Sequence, residues 1–440
     1  MDNVRAAAGW VVERTLDSLS PSSVFLHSAL AHLDEPEKPL LRELSMGTLR
    51  WLRRLDHIVS LAADRKIDVI DPALRTPLRI GAYQLLFLDR IPPHAAVHEA
   101  VEHARRATHK GGASFTNAVL RRISRERSLE AWPVQHDDVV ARLGIEHSHP
   151  DFLVRRWLDV YGEADTVRLM QADNRQKPLH LLAFRDRGGR ELLAETLIDA
   201  GIDVEPSNLS PMGLIVRRGN PLHTEAYDQG DFYIQDEGSQ AVALLPPPER
   251  GETVLDAAAA PGGKSFSMLA LEPDLSIVMA DVSPARIATL EQNRRRLGVG
   301  GRVLVADAAK SPLKGRFDRV VLDLPCSGTG TLRKHPELKW RISESEIGRL
   351  GDQALRMLEG SLSQVAPGGR LIAMTCSLEV EENESVVSRF LDRHPELELE
   401  ALEENLEPAL AAHVAGPGLW RLRTADDHDG FTAHVLRKAR

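Results

Sequence analysis

The stretch "TVLDAAAAPGGKSFSMLALE", residues 253–272, decides how the second half of this chain is read. "TVLDAAAA" is strand-like, "PGG" breaks the run, and "KSFSMLALE" carries an apolar helical pattern. Two glycines before a helix start let backbone approach a ligand and leave helix amide groups free to meet it. The turn lacks the G-x-G-x-x-G spacing of a dinucleotide site. It also misses the phosphate loop G-x-x-x-x-G-K-[ST], because alanine and not glycine stands five residues before Gly263.

Outward from this unit the alternation continues. Further strand-like runs are "SIVMAD", "RVLVAD", "RVVLDLP" and "RLIAMTC", separated by helix-like "SPARIATLEQNRRRLG" and "SESEIGRLGDQALRMLEGSLSQV". Strands alternating with helices predict a parallel sheet wound with helices on both faces, over residues 236–440. Residues 145–235 mix helix and strand, with "LHLLAF", "VEPS" and "GLIVRR" as strands and "DFLVRRWLDVYG" and "GRELLAETLIDAG" as helices, which predicts a small α+β domain. "FYIQDEGSQAVALLPPPERG" bridges into the last part of the chain. Residues 1–130 show only helical periodicity, with Leu74, Leu78, Leu85 and Leu88 on one face and Val97, Val101 and Ala104 on another. There "SFTNAVLRRISRER" predicts a helix capped by Ser114 that buries Phe115, Val119 and Ile123.

At 440 residues the chain exceeds one ordinary core. No apolar run approaches a membrane span, and the charged start "MDNVRAAAGWVVERTL" has no signal-peptide core, so a cytoplasmic protein is expected. Two cysteines exclude a disulfide framework, and the 17 histidines show no ligand spacing, so no metal is expected. The net charge of −9 excludes a wholly basic nucleic-acid binder, yet residues 1–130 hold 19 Lys/Arg against 16 Asp/Glu. Within 101–127 seven basic residues (Arg105, Arg106, Lys110, Arg121, Arg122, Arg125, Arg127) face two acidic ones. Such a face can hold phosphates, though charge alone describes a solvated helix.

Ligands of parallel sheets bind beyond the carboxyl ends of the strands. Those ends read Asp256, Asp281, Asp307 and Asp323, a polar crevice. Asp281 lies about 20 residues past the glycines, the spacing of a ribose-hydroxyl acceptor. An adenosine without pyrophosphate suits this crevice. S-adenosylmethionine fits, with its ribose at Asp281, its adenine near Asp307 and its sulfonium among acidic neighbours.

"DAAAAPGGKS", "DLPCSGTGTLRKHPELKW" and "TCSLEVEENE" together resemble the RNA cytosine-5 methyltransferases. "AVHEAVEHARRATHKGGASFTNAVLRR" and "LRKHPELKW" resemble the subgroup of Sun or Fmu type, which has a NusB-like N-terminal domain and acts on small-subunit (16S) ribosomal RNA. The resemblance implies an all-α NusB-like domain, a small α+β domain and a Rossmann-like S-adenosylmethionine-dependent methyltransferase domain. It places cofactor binding at Ala258, Ala259, Ala260, Pro261, Gly262, Gly263, Lys264, Asp281, Asp307 and Asp323. Arg333, Lys334, His335, Lys339 and Arg341, beside the catalytic loop, are expected to meet RNA phosphates, in a monomer without metal or membrane contact. The chain departs from the family at Ala258, where cysteine is usual, and at "LLAF", where an arginine-valine-asparagine strand is usual.

Carbon 5 of cytosine is a poor nucleophile. A thiolate adding to carbon 6 makes an enamine whose carbon 5 can attack a sulfonium methyl; the carbon-5 proton then leaves and the thiol is eliminated. This needs a thiolate, a carboxyl group at the ring edge and a group that completes release. Cys376, Asp323 and Cys326 are of those types, at strand ends expected to be neighbours. Geometry alone leaves the two thiols unranked. DNA cytosine-5 methyltransferases attack with a proline-cysteine thiol, the position of Cys326, whereas the RNA family attacks with the threonine-cysteine thiol. The resemblance therefore makes Cys376 the nucleophile and Cys326 the release group, with Asp323 as the third catalytic residue. Rival readings are a cytosine-5 methyltransferase acting on transfer RNA or DNA, and a non-catalytic antitermination factor that binds RNA.

Overall fold

The computed structural model describes residues 3–108, 110–402, 406–425 and 427–440, with only the backbone of Lys110. The chain forms two compact units, one of residues 1–175 with 332–341, the other of 176–331 with 342–440.

The first unit is helical, with helices Val4–Asp17, Ser22–Leu30, Lys38–Arg50, Leu52–Ala63, Pro72–Phe87, Pro93–Ala107 and Lys110–Arg125, followed by Val139–Glu146 and Asp151–Asn174. Local chemistry starts several of them. Asp71 caps the helix at Pro72 by accepting from the Ala73 amide at 3.0 Å, and Pro72 needs no donor there. Leu74, Leu78, Leu85, Ala104, Val119 and Ile123 join one core, as their spacing predicts, while Leu88, Val101 and Phe115 are partly buried against it. The expected cap at Ser114 is corrected: the helix begins at Lys110, so Ser114 sits inside it. The helix expected to stop at Gly162 resumes beyond it, because Gly162 takes φ +74 as a break between two helical segments.

In the second unit, β1 (Leu179–Ala183), β2 (Asp203–Pro206), β3 (Gly213–Arg218) and β4 (Phe232–Ile234) form a sheet in the order β2-β3-β1-β4. Leu193 and Leu197 of the helix Gly189–Asp199 pack on its Leu181, Leu214 and Val216. β4 lies in the stretch read above only as a bridge; its three residues are too few to show alternation.

Among the described residues the larger sheet holds nine strands: β5 (Thr253–Asp256), β6 (Ser276–Asp281), β7 (Arg302–Val305), β8 (Phe317–Asp323), β9 (Val365–Thr375), β10 (Leu397–Leu399), β11 (Val414–Gly416), β12 (Leu419–Leu422) and β13 (Phe431–Lys438). Its order is β11-β12-β13-β9-β8-β5-β6-β7, with β10 also on β13. β5 to β9 pair in parallel, and β13 returns antiparallel to β9. Neighbours along a strand face opposite sides: Val254 and Val321 join one core, Leu255 and Val320 the other. The chain order reverses between β5 and β8, and a crevice opens at such a point. No helix among the described residues is long and apolar enough to cross a membrane.

Candidate active site

The turn after β5 is shaped from within. Asp256 is buried, accepts from the Ser265 hydroxyl at 2.7 Å and from the Ala258 amide at 3.4 Å, and burial pushes its pKa up to about 6. It holds the turn and does not line the cleft. Gly262 caps the following helix at φ +117, and a Cβ there would lie 2.1 Å from the Phe266 ring, so this position requires glycine.

Beyond the strand ends lies a cleft of about 950 Å³, lined among others by Ala258, Asp281, Asp307, Asp323, Cys326 and Cys376. One cavity thus joins four of the predicted cofactor residues, Ala258, Asp281, Asp307 and Asp323, with the two cysteines. Ala259 and Ala260 are instead buried in the core behind it, and Pro261, Gly262, Gly263 and Lys264 are not in its lining. Asp281 Oδ1 accepts from the Ser283 amide at 3.0 Å, while its buried Oδ2 makes no hydrogen bond and has Arg286 Nη1 at 3.3 Å. Asp307 is exposed and accepts from the Ala309 amide at 2.9 Å.

Asp323 pairs with Met374 in the β8–β9 register, which brings the two cysteine loops side by side. Cys326 Sγ lies 3.5 Å from Cys376 Sγ. With Cys326 as donor, this contact pulls the Cys376 pKa below the usual thiol range and pushes that of Cys326 well above it. Burial and Asp323 oppose ionisation of Cys376, and the Lys264 charge favours it. Lys264 Nζ donates to Asp323 Oδ2 at 2.8 Å and sits 5.1 Å over the Phe431 ring. Burial works against the Lys264 ammonium, but Asp323 outweighs it and the pKa rises.

Several neighbours of the thiols escaped the sequence reading. Glu382 accepts from the Ser327 amide at 2.7 Å and hydroxyl at 2.6 Å. Gly330 donates to the Cys376 carbonyl at 2.9 Å, and Gly430 donates to the Gly330 carbonyl at 2.7 Å. Glu382 lay in plain view within "LEVEENE", but an acidic run reads as a solvated face until its burial is seen.

The expected phosphate contacts are corrected for Arg333, Lys339 and Arg341, while Lys334 is exposed. Residues 333–341 belong to the helical unit, where Lys339 is fully buried and donates to Asn174 Oδ1 at 2.7 Å, Ser148 O at 3.2 Å and Arg50 O at 3.4 Å. Arg333 is buried, its carbonyl accepting from Arg50, and Arg341 donates to the Thr15 carbonyl. Two members of the basic face are also committed: Arg122 donates to the Ala62 carbonyl at 3.1 Å and Arg127 to that of Leu85 at 3.0 Å. The side chain of Lys110 lies outside the described residues.

A mixed sheet of this order, with an acidic crevice opening on strand-end residues, defines a Rossmann-like ligand-binding domain. The family model for the 16S rRNA methyltransferase RsmB/F matches residues 242–436. The NusB family model matches 11–125, and that of the RsmF/B-like ferredoxin-like domain matches 149–223. The chain is 32% identical to the probable ribosomal RNA small subunit methyltransferase B of Bacillus subtilis, over 95% of this chain and 94% of that protein. It is 30% identical to the ribosomal RNA small subunit methyltransferase B of Klebsiella pneumoniae, over 100% and 99%. The solved structure of PH0851 superposes with a TM-score of 0.78 at 25% identity, covering 100% of this chain and 99% of that one. The chain belongs to the 16S rRNA methyltransferase RsmB/F family.

Proposed function

We propose that this protein methylates carbon 5 of a cytosine in small-subunit ribosomal RNA, using S-adenosylmethionine and a covalent adduct through Cys376. The observation that carries this is the thiol pair 3.5 Å apart, of which Cys376 is the more readily ionised. Names of the full-length relatives support the ribosomal RNA substrate.

Ala258, Asp281, Asp307 and Asp323, which line the cleft, would hold the cofactor, and the buried Oδ2 of Asp281, which makes no hydrogen bond, suits a ribose hydroxyl. Bound there, S-adenosylmethionine supplies an electrophilic methyl group. The Cys376 thiolate bonds to carbon 6, shifting the ring's electron pair to carbon 5. Asp323, oriented by Lys264, holds the ring edge. After methylation Cys326 gives its proton to the departing Cys376 sulfur and takes the proton from carbon 5, so that the bond from carbon 6 to Cys376 breaks and the ring double bond re-forms. Residues 1–130 and 145–235 would contribute RNA contacts and 236–440 the chemistry, in a monomer working in the cytoplasm.

Bisulfite sequencing of total RNA from cells with and without the gene tests the reading. A 5-methylcytosine lost from the small-subunit RNA supports it. Loss confined to transfer RNA or DNA favours the rival substrates, and no loss anywhere favours a non-catalytic RNA-binding factor.

A further inference from the structure

Behind the two thiols lies a buried polar network that the reaction as described does not use. Ser327 follows Cys326, and Ser377 follows Cys376. Both protons of Ser327 go to Glu382, the amide to Oε1 at 2.7 Å and the hydroxyl to Oε2 at 2.6 Å. Ser377 Oγ lies 3.3 Å from Ser327 Oγ and 3.3 Å from Thr329 Oγ1, and Thr329 Oγ1 accepts from the Leu378 amide at 3.0 Å. On the other side of Cys376, Thr375 donates to Asn383 Oδ1 at 2.7 Å, and Asn383 Nδ2 donates to the Ser377 carbonyl at 3.1 Å. Glu382, Ser327, Ser377, Thr329, Thr375 and Asn383 are all buried.

A carboxyl group in such a place is costly unless donors surround it. Burial raises the Glu382 pKa to about 7, with the Ser327 and Ser377 hydrogen bonds working against the rise. The grip falls on the residue next to Cys326 and arises from the same segment that carries Cys376. The thiol–thiol contact exists only while the two loops keep their spacing.

We propose that Glu382 is a positioning residue: by holding Ser327 it sets the placement of Cys326 against Cys376 and so keeps Cys376 the reactive thiol. This rests on the reading of Cys376 as nucleophile, and its test works without RNA. Glu382→Gln preserves the geometry: its amide oxygen accepts the Ser327 amide, its amide nitrogen donates to the Ser327 oxygen, and the Ser327 proton turns to Ser377. Glu382→Ala strands the buried Ser327 amide.

Iodoacetamide alkylation of each cysteine, followed against pH by mass spectrometry, reads the placement. Methyl transfer to small-subunit RNA reads the consequence, and binding of S-adenosylhomocysteine confirms folding. We expect Glu382→Ala to lower turnover about tenfold or more, the scale of one lost buried hydrogen-bonded pair. Its Cys376 alkylation midpoint should move to higher pH, with the preference for Cys376 over Cys326 lost. Glu382→Gln should keep most turnover and the original midpoint. Should Glu382→Ala not fold, Ser327→Ala, which removes one of the two bonds, should shift the midpoint in the same direction. An unmoved midpoint in the folded alanine variants overturns the proposal. So does a Glu382→Gln variant as impaired as Glu382→Ala, since charge and not placement would then matter. Normal alkylation with no methyl transfer by the wild type would instead count against the proposed function.

Discussion

Cys326 Sγ lies 3.5 Å from Cys376 Sγ where two adjacent parallel strands end, and the charges around the two sulfurs differ. A thiol that donates its proton to a neighbouring sulfur is harder to ionise, and the sulfur that accepts is easier. Glu382 and Asp323 oppose ionisation of Cys326, whereas the Lys264 charge favours that of Cys376, which suits Cys326 to the first role and Cys376 to the second. The Lys264 ammonium, bonded to Asp323, adds to the stabilisation of a Cys376 thiolate. Two cysteines that the residues alone left unranked are thus distinguished by their surroundings.

Replacing Lys264 by methionine removes a nearby positive charge and leaves Asp323 without its 2.8 Å partner. Both changes disfavour the Cys376 thiolate. The pH profile of Cys376 alkylation should move to higher pH, and methyl transfer near neutrality should fall about tenfold, the effect of one unit on the thiolate fraction. The sign follows from a depressed thiol pKa, whose stabilisation is present above the ordinary thiol range and lost as pH falls through the lowered value. An unmoved profile would remove Lys264 from the electrostatics of the thiol.

Asp281→Ala should weaken binding of S-adenosylhomocysteine by about 10- to 100-fold, the scale of a lost hydrogen bond to a charged group. Calorimetry on the full chain reads this directly. Unchanged affinity would move the ribose away from Asp281 Oδ2, the buried oxygen that makes no hydrogen bond.

Lys339→Met tests the buried role found for a residue expected to touch RNA. It strands acceptors on Asn174, Ser148 and Arg50 and should destabilise the protein by on the order of 3 kcal/mol, seen as a lower melting temperature. Burial pushes the Lys339 pKa down to about 7 from the ordinary lysine value of 10.5. Between those values the unfolded chain holds a proton that the folded one has released, so the wild type should gain stability over the variant as pH rises through that window. The salt dependence of RNA affinity should not change; a slope reduced by one phosphate contact would return Lys339 to the RNA.

Much of this was legible in the sequence, for identifiable reasons. Strands such as "SIVMAD" and helices such as 344–361 are long and periodic, and their ends carry the acids that line the cleft. β4, β10 and β11 have three residues each, too few for periodicity, and were not foreseen. Arg333, Lys339 and Arg341 misled because a cluster of charges after a catalytic loop reads as surface. Lys339 and Arg341 are committed to carbonyls of Arg50, Ser148 and Thr15, and the Arg333 carbonyl to the Arg50 guanidinium, partners far away in the chain and brought close only by folding. Glu382 was hidden for the same reason, since its acceptor role is set by the loop carrying Ser327.

The central claim is that Cys376 attacks and Cys326 releases. A denaturing gel of Cys376→Ala and Cys326→Ala, each incubated with small-subunit RNA and S-adenosylmethionine, tests it most directly. The account predicts no adduct with Cys376→Ala, and with Cys326→Ala a stable one that survives denaturation, because attack and methylation proceed while elimination stalls. A stable adduct with Cys376→Ala and none with Cys326→Ala would contradict it and make Cys326 the nucleophile.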